Sequence, residues 1–124
     1  MREFHLRLRP RTDVSVRAAR EAGRIVMRSF RRPVGVERKG RRELVTDADR
    51  EAEEAVVSAI RNEFPDDLIV AEESAPDAGR AEHVWIVDPL DGTNNFAHGY
   101  PFFSVAIAVE EEGELVSGVV YDPL

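Results

Sequence analysis

The 124-residue sequence predicts an α+β domain in which two helices pack on a largely antiparallel sheet. Three observations carry this reading. Apolar residues recur at helical period in two stretches, from Val14 to Phe30 and from Ala52 to Ile60. Two short, wholly apolar runs, residues 68–71 and 85–87, have the length of buried strands. Two apolar runs then flank Gly113, the pattern of a β-hairpin with glycine in its loop.

The composition is that of one globular domain, with 43% hydrophobic and 33% charged residues. No apolar run approaches the roughly 20 residues that span a bilayer. The start, MREFHLRLRP, lacks the apolar core of a secretory signal. With no cysteine, disulfides, thiolate metal sites and thiol nucleophiles are excluded; a cytoplasmic location fits. Charge is unevenly placed. Residues 1–42 hold 14 of the 17 basic groups, a net of about +10, while residues 43–124 are at about −17. A basic arm for nucleic acid is one reading. Packing of the two halves against each other is favoured, because no aromatic residues are interleaved for base stacking.

Residues 2–9 alternate, with Phe4, Leu6 and Leu8 on one side, and predict a short edge strand or extended arm ended by Pro10. Thr12 or Asp13 caps a helix to about Phe30, with Val14, Ala18, Ala22, Ile25 and Val26 inward and Arg17, Arg20, Arg24 and Arg28 outward. Residues 34–42 link, with a strand around 34–38. Thr46 and Asp49 have capping-box spacing, so a second helix begins there and ends near Phe64. Asp47 and Asp49 then lie in its first turn, where acids also simply favour the helix dipole. A turn leads to the strand 68–71, which exits into Glu72-Glu73-Ser74. Residues 75–83 read as a polar surface loop that includes His83. The strand 84–87 follows, then a hairpin of 102–109 and 115–121.

The chemistry concentrates in WIVDPLDGTNNFAHG, residues 85–99. A strand runs into Asp88 and Asp91; Gly92-Thr93-Asn94-Asn95 can open a helix. Carboxylates suit hard divalent cations, and free N–H groups at a helix start suit phosphate. Adjacent strand ends can bring Glu72 to Asp88 and Asp91, where mutual repulsion is relieved by a divalent cation. One ion on Glu72 and Asp88 and another shared by Asp88 and Asp91 would lie about 3.5–4 Å apart, as in two-metal phosphoryl sites. Pro89 forces a turn between the acids, which leaves the Leu90 carbonyl as a further metal oxygen. The Gly92 and Thr93 amides hold phosphate, and the Thr93 hydroxyl passes a water's proton toward Asp49. The same residues also read as a tight turn capped by Asp, and Glu72-Glu73 as a solvated strand exit.

WIVDPLDGTNNFAHGYPFFSVAIA resembles the signature of the inositol monophosphatase family, with ELVTDADREAE and IVAEES in the expected order before it. The resemblance extends from Asp13 to Leu124. It implies a layered α+β sandwich of the sugar-phosphatase type and Mg²⁺-dependent hydrolysis of phosphomonoesters, with two or three ions, Mn²⁺ as an alternative and Li⁺ as an inhibitor. It implies Glu72, Asp88, Asp91 and the Leu90 carbonyl as metal ligands. Glu72, Leu90, Asp91, Gly92 and Thr93 would contact substrate phosphate, with Lys39 near the site. Asp49 and Thr93 would activate water. Asn94-Asn95-Phe96 resembles the inositol monophosphatase and archaeal fructose-bisphosphatase type, so the substrate is a sugar or polyol phosphate, with neither nucleic acid nor membrane as partner, and the family implies a homodimer. Family members are longer: a Trp-Asp motif in their second half completes a metal site, whereas the only Trp here is Trp85. Residues 1–124 therefore read as a single, incomplete N-terminal half. The alternative is a non-catalytic remnant that binds metal or phosphate, or a partner subunit of a full-length phosphatase.

Overall fold

The computed structural model describes residues 2–31, 41–71 and 81–124, with side chains from Arg9 to Arg31, Asp47 to Ala71 and Ala81 to Leu124. Two helices, α1 (Arg2–Phe30) and α2 (Arg41–Glu63), precede strands β1 (Leu68–Ala71) and β2 (His83–Asp91). A short helix α3 (Thr93–Ala97) and strands β3 (Ser104–Glu111) and β4 (Glu114–Tyr121) complete the order. The sheet runs β1-β2-β3-β4; β1 and β2 are parallel and the other pairs antiparallel. This is the predicted architecture of two helices on a mostly antiparallel sheet.

Both long helices bury one face. On α1 it includes Val14, Ala18, Ala19, Ala22, Ile25 and Val26, with the four predicted arginines exposed on the far side. On α2 it is Ala48, Ala52, Val56 and Ile60, an unbroken four-residue spacing. The helices pack on each other; α1 crosses β3 and β4 while α2 lies over β2. The sheet offers them Trp85, Val87, Val105, Ile107 and Val109, alternate residues of β2 and β3.

Several boundaries differ from the sequence reading. Helix α1 begins at Arg2 and contains Pro10, in place of the strand or arm expected over residues 2–9. Leu, Arg and Glu are strong helix formers, and the buried stripe beyond Pro10 anchors a helix that one missing backbone donor does not break. Helix α2 begins at Arg41, so Asp47 sits in its second turn and Asp49 in its third rather than in its first, and Asp47 accepts a hydrogen bond from Arg50 (3.1 Å). The strand expected at 34–38 lies outside the described residues. Strand β3 starts at Ser104 rather than Phe102, because turn contacts engage Phe102 first: its N–H donates to Tyr100 O and its carbonyl accepts from Asn95 Nδ2, both at 2.8 Å. The hairpin closes on two residues, Glu112 (φ 49°) and Gly113 (φ 84°), both left-handed as a type I′ turn needs.

The widest departure is β2. It starts at His83, which is buried rather than on a loop surface, and continues through Asp88, Pro89 and Leu90 to Asp91. The expected turn at Pro89 is instead an irregularity within the strand, a place where the ladder tolerates a proline.

Candidate functional site

At the end of β2 the register shifts. Asp88 pairs with Ala106 and Asp91 with Ser104, so three steps on β2 face two on β3, which is one extra residue. In a regular strand, residues three apart point to opposite faces. Ala106 and Ser104, two apart, share a face, so the extra residue sets both acids opposite the same face of β3. Pro89 and Leu90 form the bulged part. Leu90 is buried in the core at 1% exposure, which anchors the bulge. Asp88 is half-buried, with Oδ1 shielded from solvent, and Asp91 is exposed.

The chain then turns at Gly92 (φ 96°) and enters α3, and the Gly92 carbonyl accepts from Phe96 N at 3.0 Å. A Cβ at Gly92 would lie 2.9 Å from the Phe102 carbonyl oxygen and 3.3 Å from Phe103 Cα. Glycine is therefore required both for the left-handed conformation and for the close approach of two backbone segments. Gly92 has no side chain with which to cap α3, so the first-turn amides, from Thr93 on, have no acceptor within the helix. Thr93 is exposed.

Three aromatic rings hold this turn against α1. Phe96 of α3 lies 5.6 Å from Phe30 and 5.2 Å from Phe103, and Phe30 and Phe103 are 4.9 Å apart, centroid to centroid. The outer side is tied by Asn95 to Phe102 and by His98 Nδ1, 2.7 Å from the Asn94 carbonyl.

Asp49, half-buried, lies on α2, and α2 packs against α3, which carries Thr93. The structure thus gathers Asp88, Leu90, Asp91, Gly92 and Thr93 at one strand end, with the helix bearing Asp49 alongside. Glu72 and Lys39 lie outside the described residues. Ala71, which precedes Glu72, pairs in parallel with Val87, which precedes Asp88. The donors Asp88, Asp91 and a backbone carbonyl are all oxygen, the set that fits a hard divalent cation such as Mg²⁺.

At the opposite end of the sheet lies a group not foreseen from sequence. Glu82, His83 and Glu111 bring ligand-type atoms within 4.8 Å of one another. Alternation could have found the inward His83, though not its partners: His83 has the same parity as Trp85 and Val87, so a strand extended backward by one residue turns it inward. Beside it, Asp67 accepts from Arg11 Nε (2.9 Å), Arg11 Nη2 (3.0 Å) and Trp85 Nε1 (2.8 Å). Burial raises the Asp67 pKa, but the hydrogen bonds from Arg11 and Trp85 and the charges of Arg11 and His83 outweigh it and hold the carboxyl below its ordinary value.

Comparison with known proteins places the sequence and the fold. A profile of the inositol monophosphatase family matches residues 7–124. The fructose-1,6-bisphosphatase/inositol-1-monophosphatase of Thermotoga maritima is 44% identical over 114 residues, covering 91% of this chain and 44% of that protein. The Nus factor SuhB of Pseudomonas aeruginosa is 40% identical over 122 residues, covering 94% of this chain and 45% of that protein. The solved structure of inositol monophosphatase from Anabaena superposes with a TM-score of 0.79 at 36% identity, over 94% of this chain and 41% of that one. The chain spans less than half the length of these relatives. The family match runs unbroken from residue 7 to residue 124, and the chain belongs to the inositol monophosphatase family.

Proposed function

We propose that the protein is a Mg²⁺-dependent phosphomonoesterase acting on a sugar or polyol phosphate, such as inositol monophosphate or fructose 1,6-bisphosphate, and that residues 1–124 supply the N-terminal half of its site. The observation that carries the reading is the β2 bulge, which sets Asp88 and Asp91 opposite one face of β3 and delivers the chain into the Gly92 turn. Asp88, Asp91, the Leu90 carbonyl and Glu72 would hold the cation. When bound, the cation would neutralise phosphate charge and acidify water. The amides of Gly92 and Thr93 would orient phosphate oxygens, Lys39 would contribute positive charge as the family resemblance implies, and the Thr93 hydroxyl would relay a water proton to Asp49. The missing ligand and the sugar pocket belong to sequence comparable to the second half of the relatives.

The test is phosphate release from inositol 1-phosphate and fructose 1,6-bisphosphate by the whole protein with Mg²⁺. Asp88→Asn should lower kcat/KM at least about 100-fold, as loss of several kcal/mol of transition-state stabilisation implies. Activity equal to wild type in that variant would overturn the assignment. A second reading rests on the Nus factor name carried by relatives near 40% identity: a protein-binding role, in which Asp88→Asn changes hydrolysis and leaves partner binding intact.

A further inference from the structure

We propose that Glu82, His83 and Glu111 form a second metal site, selective for Zn²⁺-like ions, at the end of the sheet remote from Asp88 and Asp91. His83 opens β2 directly opposite Glu111 near the end of β3, and the backbone bond from Glu112 N to Glu82 O (2.8 Å) fixes the flanking residues. His83 and Glu111 therefore meet through register, and Glu82, at the bend before β2, brings its carboxylate within reach of both.

The independent observation is the state of the imidazole. His83 is only 9% exposed, and its Nε2 is shielded from solvent and makes no hydrogen bond among the described residues. Nε2 faces Glu111 Oε1 at 3.7 Å, too far for a hydrogen bond. Ligands of a tetrahedral ion with bonds of about 2.0–2.2 Å lie roughly 3.4 Å apart, so the gap is near what a bridging cation requires. Asp67 lies close enough for the charge of His83 to act on it and is committed to Arg11 and Trp85; it adds negative potential without being needed as a ligand.

The donor chemistry separates this site from the proposed phosphate site. One imidazole nitrogen with two carboxylates suits Zn²⁺, whereas an all-oxygen set suits Mg²⁺. Three protein ligands leave the fourth position to water. A bound ion would clamp the start of β2 to the end of β3 and so stiffen the strand that carries Asp88 and Asp91.

Calorimetric titration of the whole protein with Zn²⁺, in a large excess of Mg²⁺, tests the site without reference to hydrolysis. One equivalent should bind to wild type and to Asp88→Asn alike. Affinity should fall at least about tenfold in His83→Gln, and also in Glu82→Gln, whose exposed position leaves folding intact. Zn²⁺ binding that survives His83→Gln and Glu82→Gln, or that disappears in Asp88→Asn, would overturn the proposal, as would the absence of binding to wild type.

Discussion

Among single residues, Asp67 has the most at stake, since one carboxylate joins α1 to β2. Its side chain is 8% exposed and that of Arg11 16%, and the Arg11 guanidinium also lies 4.2 Å from the Phe64 ring centroid. Removing one member of a buried pair leaves the other charge unsolvated, which costs more than the pair contributes. Asp67→Ala should therefore destabilise the fold by about 3 kcal/mol at neutral pH, measured by urea unfolding. The lowered pKa sets the sign of the pH dependence. A carboxyl with a folded pKa below its ordinary 3.8 contributes stability that is fully present above that value. The contribution fades as pH falls through the folded value, because the proton then binds the unfolded chain more readily. Unfolding free energy should drop more steeply for wild type than for Asp67→Asn below pH 3.8, and equal slopes would contradict the assignment.

For secondary-structure elements, the turn from β2 into α3 is the part most exposed to mutation. Gly92→Ala would place a methyl group 2.9 Å from the Phe102 carbonyl oxygen in a left-handed conformation. The backbone term alone is about 1–2 kcal/mol, and the contact adds to it because two main-chain segments cannot both yield. The variant should lose at least about 2 kcal/mol of stability and, under the proposed function, most of its phosphatase activity. Alternation and helical period made the elements themselves legible, because burial on one face is written into every second or every fourth side chain. The ends were not. Helix α1 runs through Pro10 because packing further along outweighs a local break. Strand β2 runs through Pro89 because an extra residue absorbs it. Asp88, Leu90, Asp91, Gly92 and Thr93 could be read as a site because they are contiguous. Glu82, His83 and Glu111 could not, since only the pairing of β2 with β3 brings residues 28 apart together.

Among the described residues, helices lie on one face of the sheet only. The basic first helix is tied to the acidic remainder by Arg11–Asp67 and by Arg17–Glu63 (3.0 Å), which is how opposite charges in the two halves of the chain come to face each other. The helices cover one face of the sheet. On the other face Ile86 is 40% and Val120 76% exposed, with Val70, Val84, Ala106 and Ala108 partly exposed between them. Neighbouring residues of β2 should therefore respond in opposite ways. Trp85→Ala empties the buried layer under α2 and should cost about 3–5 kcal/mol. Ile86→Lys and Val120→Lys, on the open face, should each change stability of residues 1–124 by no more than about 1 kcal/mol. Both lysines should also lower the binding of a hydrophobic dye, since they break the apolar patch. If Ile86→Lys proved as damaging as Trp85→Ala in chemical unfolding of this 124-residue chain, the sheet would have to be covered on both faces, and the single helical layer described here would be wrong.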